Sequence, residues 1–155
     1  MPKADPNRCF QWPTSRDIQD MDFEERIKLN GIGFKANTNL YQFKMTYTNG
    51  HESATFNTQE GASLDAKVYP VKSEKVISCV EILHRADQHN IYGIRFLDDR
   101  GNKIQERQWR HSGTARWVKI EVPEGMEVIG FHGSHDGSYI KQLGLVLWEP
   151  NPYAQ

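Results

Sequence analysis

A chain of 155 residues suits a single domain, and at that length about two-thirds of the unfolded chain's surface can be buried. Nineteen basic residues stand against 20 acidic ones for a formal net charge of −1, a balance that gives no ground for a nucleic-acid or membrane partner. With 37% hydrophobic and 25% charged residues the composition is that of an ordinary globular protein, and no apolar run approaches the ~20 residues a membrane-spanning helix needs.

Residues 1–26 read as an extended leader. Pro2, Pro6 and Pro13 oppose early helix, and the run lacks the apolar stretch of a secretory signal. Ser15 is placed to cap a short helical turn after it. Phe10 and Trp12 are large apolar side chains in a polar context. They either fold back on the domain or anchor a partner, since such aromatics are typical hot spots. Residues 1–26 are expected to lie along the domain or a neighbour, with neighbours supplying the contacts that order them. The two cysteines, Cys9 and Cys79, read as free thiols in a reducing compartment, because a disulfide framework needs more pairs.

From Ile27 the pattern changes to period two. Leu40, Gln42, Lys44, Thr46 and Thr48 alternate with Tyr41, Phe43, Met45 and Tyr47, which predicts a half-buried strand. Asn49-Gly50 is a strong hairpin signal, and residues 51–58 read as the returning strand. Further strands are predicted over 76–83, 91–97, 103–110, 116–122, 127–132 and from 139 or 140 to 148, with turns at Asp98-Asp-Arg-Gly101 and Pro123-Glu-Gly125. Strands recur and no convincing helix interrupts them, so the expected class is all-β, a sandwich, barrel or prism of antiparallel sheets. Trp109, Trp117 and Trp148 fall in these runs and are expected to pack against the sheets.

Five stretches carry a family resemblance. Tyr41-Gln-Phe-Lys-Met-Thr-Tyr-Thr-Asn-Gly50 forms an early hairpin. Glu74-Lys-Val-Ile-Ser-Cys-Val80 opens a strand with an acidic residue, and Ile91-Tyr-Gly-Ile-Arg-Phe96 begins the next hairpin. Val128-Ile-Gly-Phe-His-Gly133 and Ser138-Tyr-Ile-Lys-Gln-Leu-Gly-Leu-Val-Leu147 form a closing pair. In order and spacing, over residues 31–150, these resemble the jacalin-like lectins. The resemblance implies an antiparallel β-prism of three small sheets, here a domain over 27–150 with a tail at 151–155. It also implies a sugar site at one end of the prism, made by an aspartate in a glycine-x-x-x-aspartate loop and by a glycine-rich N-terminal loop. The matching stretch is Gly137-Ser-Tyr-Ile-Lys141, with lysine where the aspartate belongs. Aspartate accepts hydrogen bonds from vicinal hydroxyls, whereas lysine only donates. At the N-terminal loop the sequence offers Gly31-Ile-Gly33 in place of a clear double glycine. Gly133, Asp136, Gly137, Tyr139 and Lys141 are thus the candidate residues of a vestigial sugar loop, with Asp136 either a substitute acceptor or the cap of its turn.

No nucleophile with an identifiable base is present, nor a metal or nucleotide motif. His132, His135 and Asp136 crowd one turn, but a structural metal site usually takes four ligands, and solvent-facing loop histidines are the plainer reading. Arg107, Arg110, His111 and Arg116 surround Trp109 and Trp117, a basic, aromatic surface of the kind that meets acidic peptides or single-stranded nucleic acid. The expectation is a non-enzymatic structural or adaptor subunit of an intracellular assembly, cytoplasmic or cytoskeletal, without cofactor or metal. It would contact other protein subunits through Phe10 and Trp12. The alternative is a cytoplasmic lectin of altered specificity that binds a glycan.

Overall fold

The computed structural model describes residues 9–21, 27–72, 74–85, 87, 89–111 and 113–149. The ends of the expected leader, 1–8 and 22–26, and the expected tail, 151–155, lie outside the described residues.

The elements run β1 (Cys9–Trp12), α1 (Ser15–Met21), β2 (Leu29–Ala36), β3 (Leu40–Tyr47), β4 (Phe56–Asn57), β5 (Val68–Pro70), β6 (Cys79–Arg85), β7 (Asn90–Leu97), β8 (Lys103–Gln108), β9 (Arg116–Glu121), β10 (Glu127–His135) and β11 (Ile140–Trp148). They form three sheets, ordered β4-β3-β2-β5, β8-β7-β6-β9 and β1-β10-β11, with every pairing antiparallel. The chain is therefore an all-β prism, and α1 is its one helix among the described residues. That helix is too short to cross a membrane.

The sheets meet on three phenylalanines, one from each. Phe131 of β10 is edge-on to Phe43 of β3 at 5.1 Å and to Phe96 of β7 at 6.2 Å, and all three rings are fully buried. Edge-to-face pairs add about 0.5–1.5 kcal/mol each beyond the area they bury. Tyr47 ties β3 to β10 by donating its hydroxyl proton to the Ile129 carbonyl. Burial holds that phenol well above its ordinary pKa, so it remains a donor.

Turn chemistry fixes the strand ends. Gly50, Gly101 and Gly125 all take positive φ, where a Cβ would be strained. Asp98 Oδ1 accepts from the Arg100 and Asn102 amides, which accounts for one member of the Asp98-Asp99 pair as a turn cap. The strand expected over 51–58 shrinks to a bridge at Glu52 and the two-residue β4. The Met45 amide donates to Ser53 Oγ, so a side-chain oxygen takes the place of a ladder carbonyl there. The helix cap falls on Thr14 instead of the expected Ser15. Thr14 Oγ1 accepts from the Asp17 amide while Asp17 Oδ2 accepts from the Thr14 amide, a reciprocal box.

Cys9–Trp12, expected within a leader, is extended but is also a strand of the third sheet, in register from Cys9↔Ser134 to Trp12↔Phe131. The partner strand explains this. At Gly130 a Cβ would collide with the Trp12 carbonyl, and at Gly133 it would fall 2.8 Å from the Phe10 ring. These glycines of the closing motif leave the space into which β1 settles. The domain itself thus supplies contacts to this segment, where neighbours were expected to supply them.

Candidate functional site

The turn from β10 to β11 is the place where the resemblance puts a sugar. Asp136 Oδ1 accepts from the Ser138 and Tyr139 amides, each at 2.8 Å, and its own amide donates to the Tyr139 carbonyl at 3.1 Å. Gly137 has φ +94°, so the turn requires a residue without a Cβ. His135 Nδ1 accepts from the Gly137 amide at 3.1 Å. Neighbouring loops hold the turn from outside. Thr58 Oγ1 and Gln59 Nε2 both donate to the Ser138 carbonyl, at 2.6 and 2.8 Å, and Asn37 Nδ2 donates to the Tyr139 hydroxyl at 3.3 Å.

Lys141, the first residue past Ile140 in β11, points its ammonium into this arrangement. Nζ donates to Asn90 Oδ1 at 2.6 Å and lies 3.5 Å from Asp136 Oδ2. It is also 6.0 Å from the centre of the Tyr139 ring. Only 22% of its side chain is exposed. Partial burial raises the Asp136 pKa, but the two backbone amides and the Lys141 ammonium outweigh it and hold the carboxyl below the usual range. The carboxylate is therefore ionised at neutral pH and committed to the turn and to Lys141. The Lys141 ammonium is thus a donor engaged with Asn90 and facing Asp136.

Asp136, Gly137, Tyr139 and Lys141 thus come together, but Gly133 does not join them. It sits inside β10, opposite Leu143 and Phe10, because its missing side chain receives the Phe10 ring. Gly31 and Gly33, matched to an N-terminal loop, are instead mid-strand in β2. A Cβ at Gly31 would sit 2.8 Å from Val68, and one at Gly33 would sit 2.9 Å from Lys44. The loop that does reach the site is the β2–β3 turn carrying Asn37. Sequence reasoning missed Asn37, Thr58, Gln59 and Asn90, because each arrives from a distant strand or strand connection with no local signal.

Phe10 stacks on Phe56 at 4.6 Å, and Phe10 and Trp12 both pack half-buried against the core. Phe10 also lines a cleft of about 640 Å³ between the third sheet and the β6–β9 side of the second. Ile82, Ile91, Val118, Ile120 and Leu143 give this cleft an apolar wall, with His84 and His132 at its polar edge. Its size lies within the range of ligand pockets. Val118 at its mouth is 47% exposed. Burial first, then the neighbouring His89, lowers the His84 pKa below the ordinary imidazole value, so His84 stays neutral. His132 lies over Gly144. Among the described residues no group of three or more His, Cys, Asp or Glu is arranged to hold a metal ion.

No family model matches the sequence, and no curated protein matches it. Solved structures do. The chain is similar to Malaysian banana lectin, with a TM-score of 0.56 at 16% identity over 92% of this chain and 90% of that one. It is similar to Calsepa lectin, solved in complex with a biantennary N-glycan, with a TM-score of 0.54 at 15% identity over 91% and 87%. A lamprey immune protein aligns with a TM-score of 0.57 at 16% identity over 80% of this chain, which spans only 37% of that longer protein. Three antiparallel sheets and these likenesses together give the chain the β-prism fold of the jacalin-like lectins.

Proposed function

We propose that this prism is a non-enzymatic adaptor, a structural subunit that contacts other proteins within an intracellular assembly. One observation carries the reading. The loop that holds sugar in the resembling family is closed here by Lys141, whose ammonium is bonded to Asn90 and faces Asp136. A mannose-type ligand would have to break these contacts and would find donors where it needs acceptors. The fold remains, and protein contact is the use left to it. Phe10, which lines the cleft, is the aromatic anchor a partner segment would meet, with Trp12 packed against the core in the same strand. The thiols Cys9 and Cys79 are both free, which fits a reducing compartment.

A second reading, glycan binding at altered specificity, draws on the fold and on the N-glycan bound by a neighbour of that fold. One experiment separates them: size-exclusion of the tagged chain from a native extract, with and without excess mannose and glycosidase. The adaptor reading expects a species far above the 17.9 kDa of the free chain that sugar does not disperse. Release by mannose supports the lectin reading, and elution of the free chain alone contradicts the adaptor.

A further inference from the structure

Sheets one and two meet at the edge strands β5 and β8, joined where Gln105 Nε2 donates to the Pro70 carbonyl at 2.8 Å. Beside this seam lies a run of aromatic rings in contact. Tyr69 stacks on Phe34 at 5.1 Å, and Phe34 tilts against Trp109 at 4.7 Å. Trp109 is fixed by its indole bond to the Ile91 carbonyl at 2.7 Å. Two cations share the Tyr69 ring, with the Arg107 guanidinium 4.1 Å and the Lys67 ammonium 5.4 Å from its centre. Further along, Arg110 sits 5.2 Å from the centre of Tyr92.

The charges here are uncompensated. Lys35, nearby, is paired with Asp65, and Lys103 and Arg95 share Glu106. Lys67, Arg107 and Arg110 have no carboxylate partner among the described residues. A surface that lays guanidinium and ammonium groups on aromatic rings holds them desolvated on one side and presents their N–H groups outward. The complement is an anion.

From this seam we infer that Lys67, Arg107 and Arg110 form a docking surface for an acidic, extended peptide segment of a protein partner. The reading rests on the adaptor function proposed above. Nucleobases and sugar rings are recognised largely by stacking on aromatic faces, and here Tyr69, Phe34 and Trp109 are already engaged with one another and with Arg107. What remains is charge with directional N–H donors, which suits carboxylates. In an extended peptide, side chains two residues apart emerge on one face about 6.6 Å from each other. Two acidic side chains of one such segment can therefore face Lys67 and Arg107, which share the Tyr69 ring.

Fluorescence anisotropy with the full chain tests this. The probe is a labelled ten-residue peptide alternating Glu and Thr, compared with its Gln-for-Glu counterpart. The expected result is saturable, salt-sensitive binding of the Glu peptide and none of the Gln peptide. The double variant Lys67→Glu, Arg107→Glu should weaken binding by roughly tenfold or more, whereas Lys119→Glu on β9 should leave it unchanged. Thermal melts of each variant establish that it is folded, and the single variant Arg107→Gln serves if the double one is not. No binding of the Glu peptide, or binding indifferent to the substitutions, overturns the inference and leaves the adaptor reading standing. If a heparin octasaccharide binds more tightly than the peptide and loses that binding in the double variant, both fall. Tighter binding of oligo-dT overturns the inference in favour of a nucleic-acid surface.

Discussion

Gly130→Ala probes how β1 belongs to the prism. A Cβ at this position meets the Trp12 carbonyl and the Pro13 ring, which is backbone and a rigid ring with no free rotamer to yield. Either the sheet shifts, at the 1–3 kcal/mol typical of overpacking, or β1 lifts away. Lifting forfeits the burial of Phe10 and Trp12, up to about 2–3 kcal/mol each for complete burial. It returns about 1–2 kcal/mol of backbone entropy for each of the residues freed. Those two terms nearly offset, so lifting costs little but exposes the β1 amides, whereas a shifted sheet costs about 2 kcal/mol, which at about 2–4 °C per kcal/mol for a chain of this size lowers the melting temperature by roughly 4–8 °C. Gly113→Ala is the control, because its Cβ meets nothing within 4 Å and its φ lies outside the left-handed region, and it should melt like the wild type. Thermal melts by circular dichroism give the first readout, and amide exchange at Phe10, Gln11 and Trp12 the second. A Gly130→Ala protein that melts with the wild type and keeps these amides protected would refute the reasoning.

Other outcomes follow from charged and titrating groups. Arg95 bonds to Glu81 at 2.7 Å and to Glu106 at 3.2 Å, and Glu81 is 8% exposed. Arg95→Ala should therefore cost about 3 kcal/mol in urea unfolding, since it leaves a buried carboxylate without its partner. Asp136 has a depressed pKa in the fold, so its contribution to stability is present above its ordinary value of 3.8 and is lost as pH falls below it. The gap in melting temperature between wild type and Asp136→Asn should accordingly be open at pH 7 and close as pH drops through that range. His84 should show an imidazole midpoint below 6.5 by NMR titration. Because its folded pKa is lowered, its protonation opposes folding, and the stability tied to it is lost as pH falls below that ordinary value.

The parts of the fold that were legible in sequence are those with local chemistry. Alternation from Leu40 to Tyr47 marks a strand because side chains on a pleated strand face opposite ways. Gly50, Gly101 and Gly125 mark turns because their conformations exclude a Cβ. What could not be read is pairing between distant segments. Four residues, Cys9–Trp12, lie beside prolines and carry no strand period of useful length, and their place depends on glycines more than a hundred residues away. Among the candidate residues, Lys141 was singled out by its offset from Gly137. Its partner Asn90 was not, since 51 positions separate them and only the packing of β7 against β11 unites them. Gly31 and Gly33 misled for a related reason. A glycine pair reads as a loop, while here it relieves cross-strand crowding in β2.

We propose that Lys141 closes the loop to sugar, and calorimetry of the wild type and Lys141→Asp with mannose, galactose and a mannotriose tests this. The expected result is no measurable heat of binding for the wild type, and a gain of binding in Lys141→Asp once the ammonium is gone and an acceptor stands beside the Tyr139 amide turn. Millimolar or tighter binding by the wild type, with shifts at Asp136, Gly137 and Tyr139 in its NMR spectrum, would contradict it.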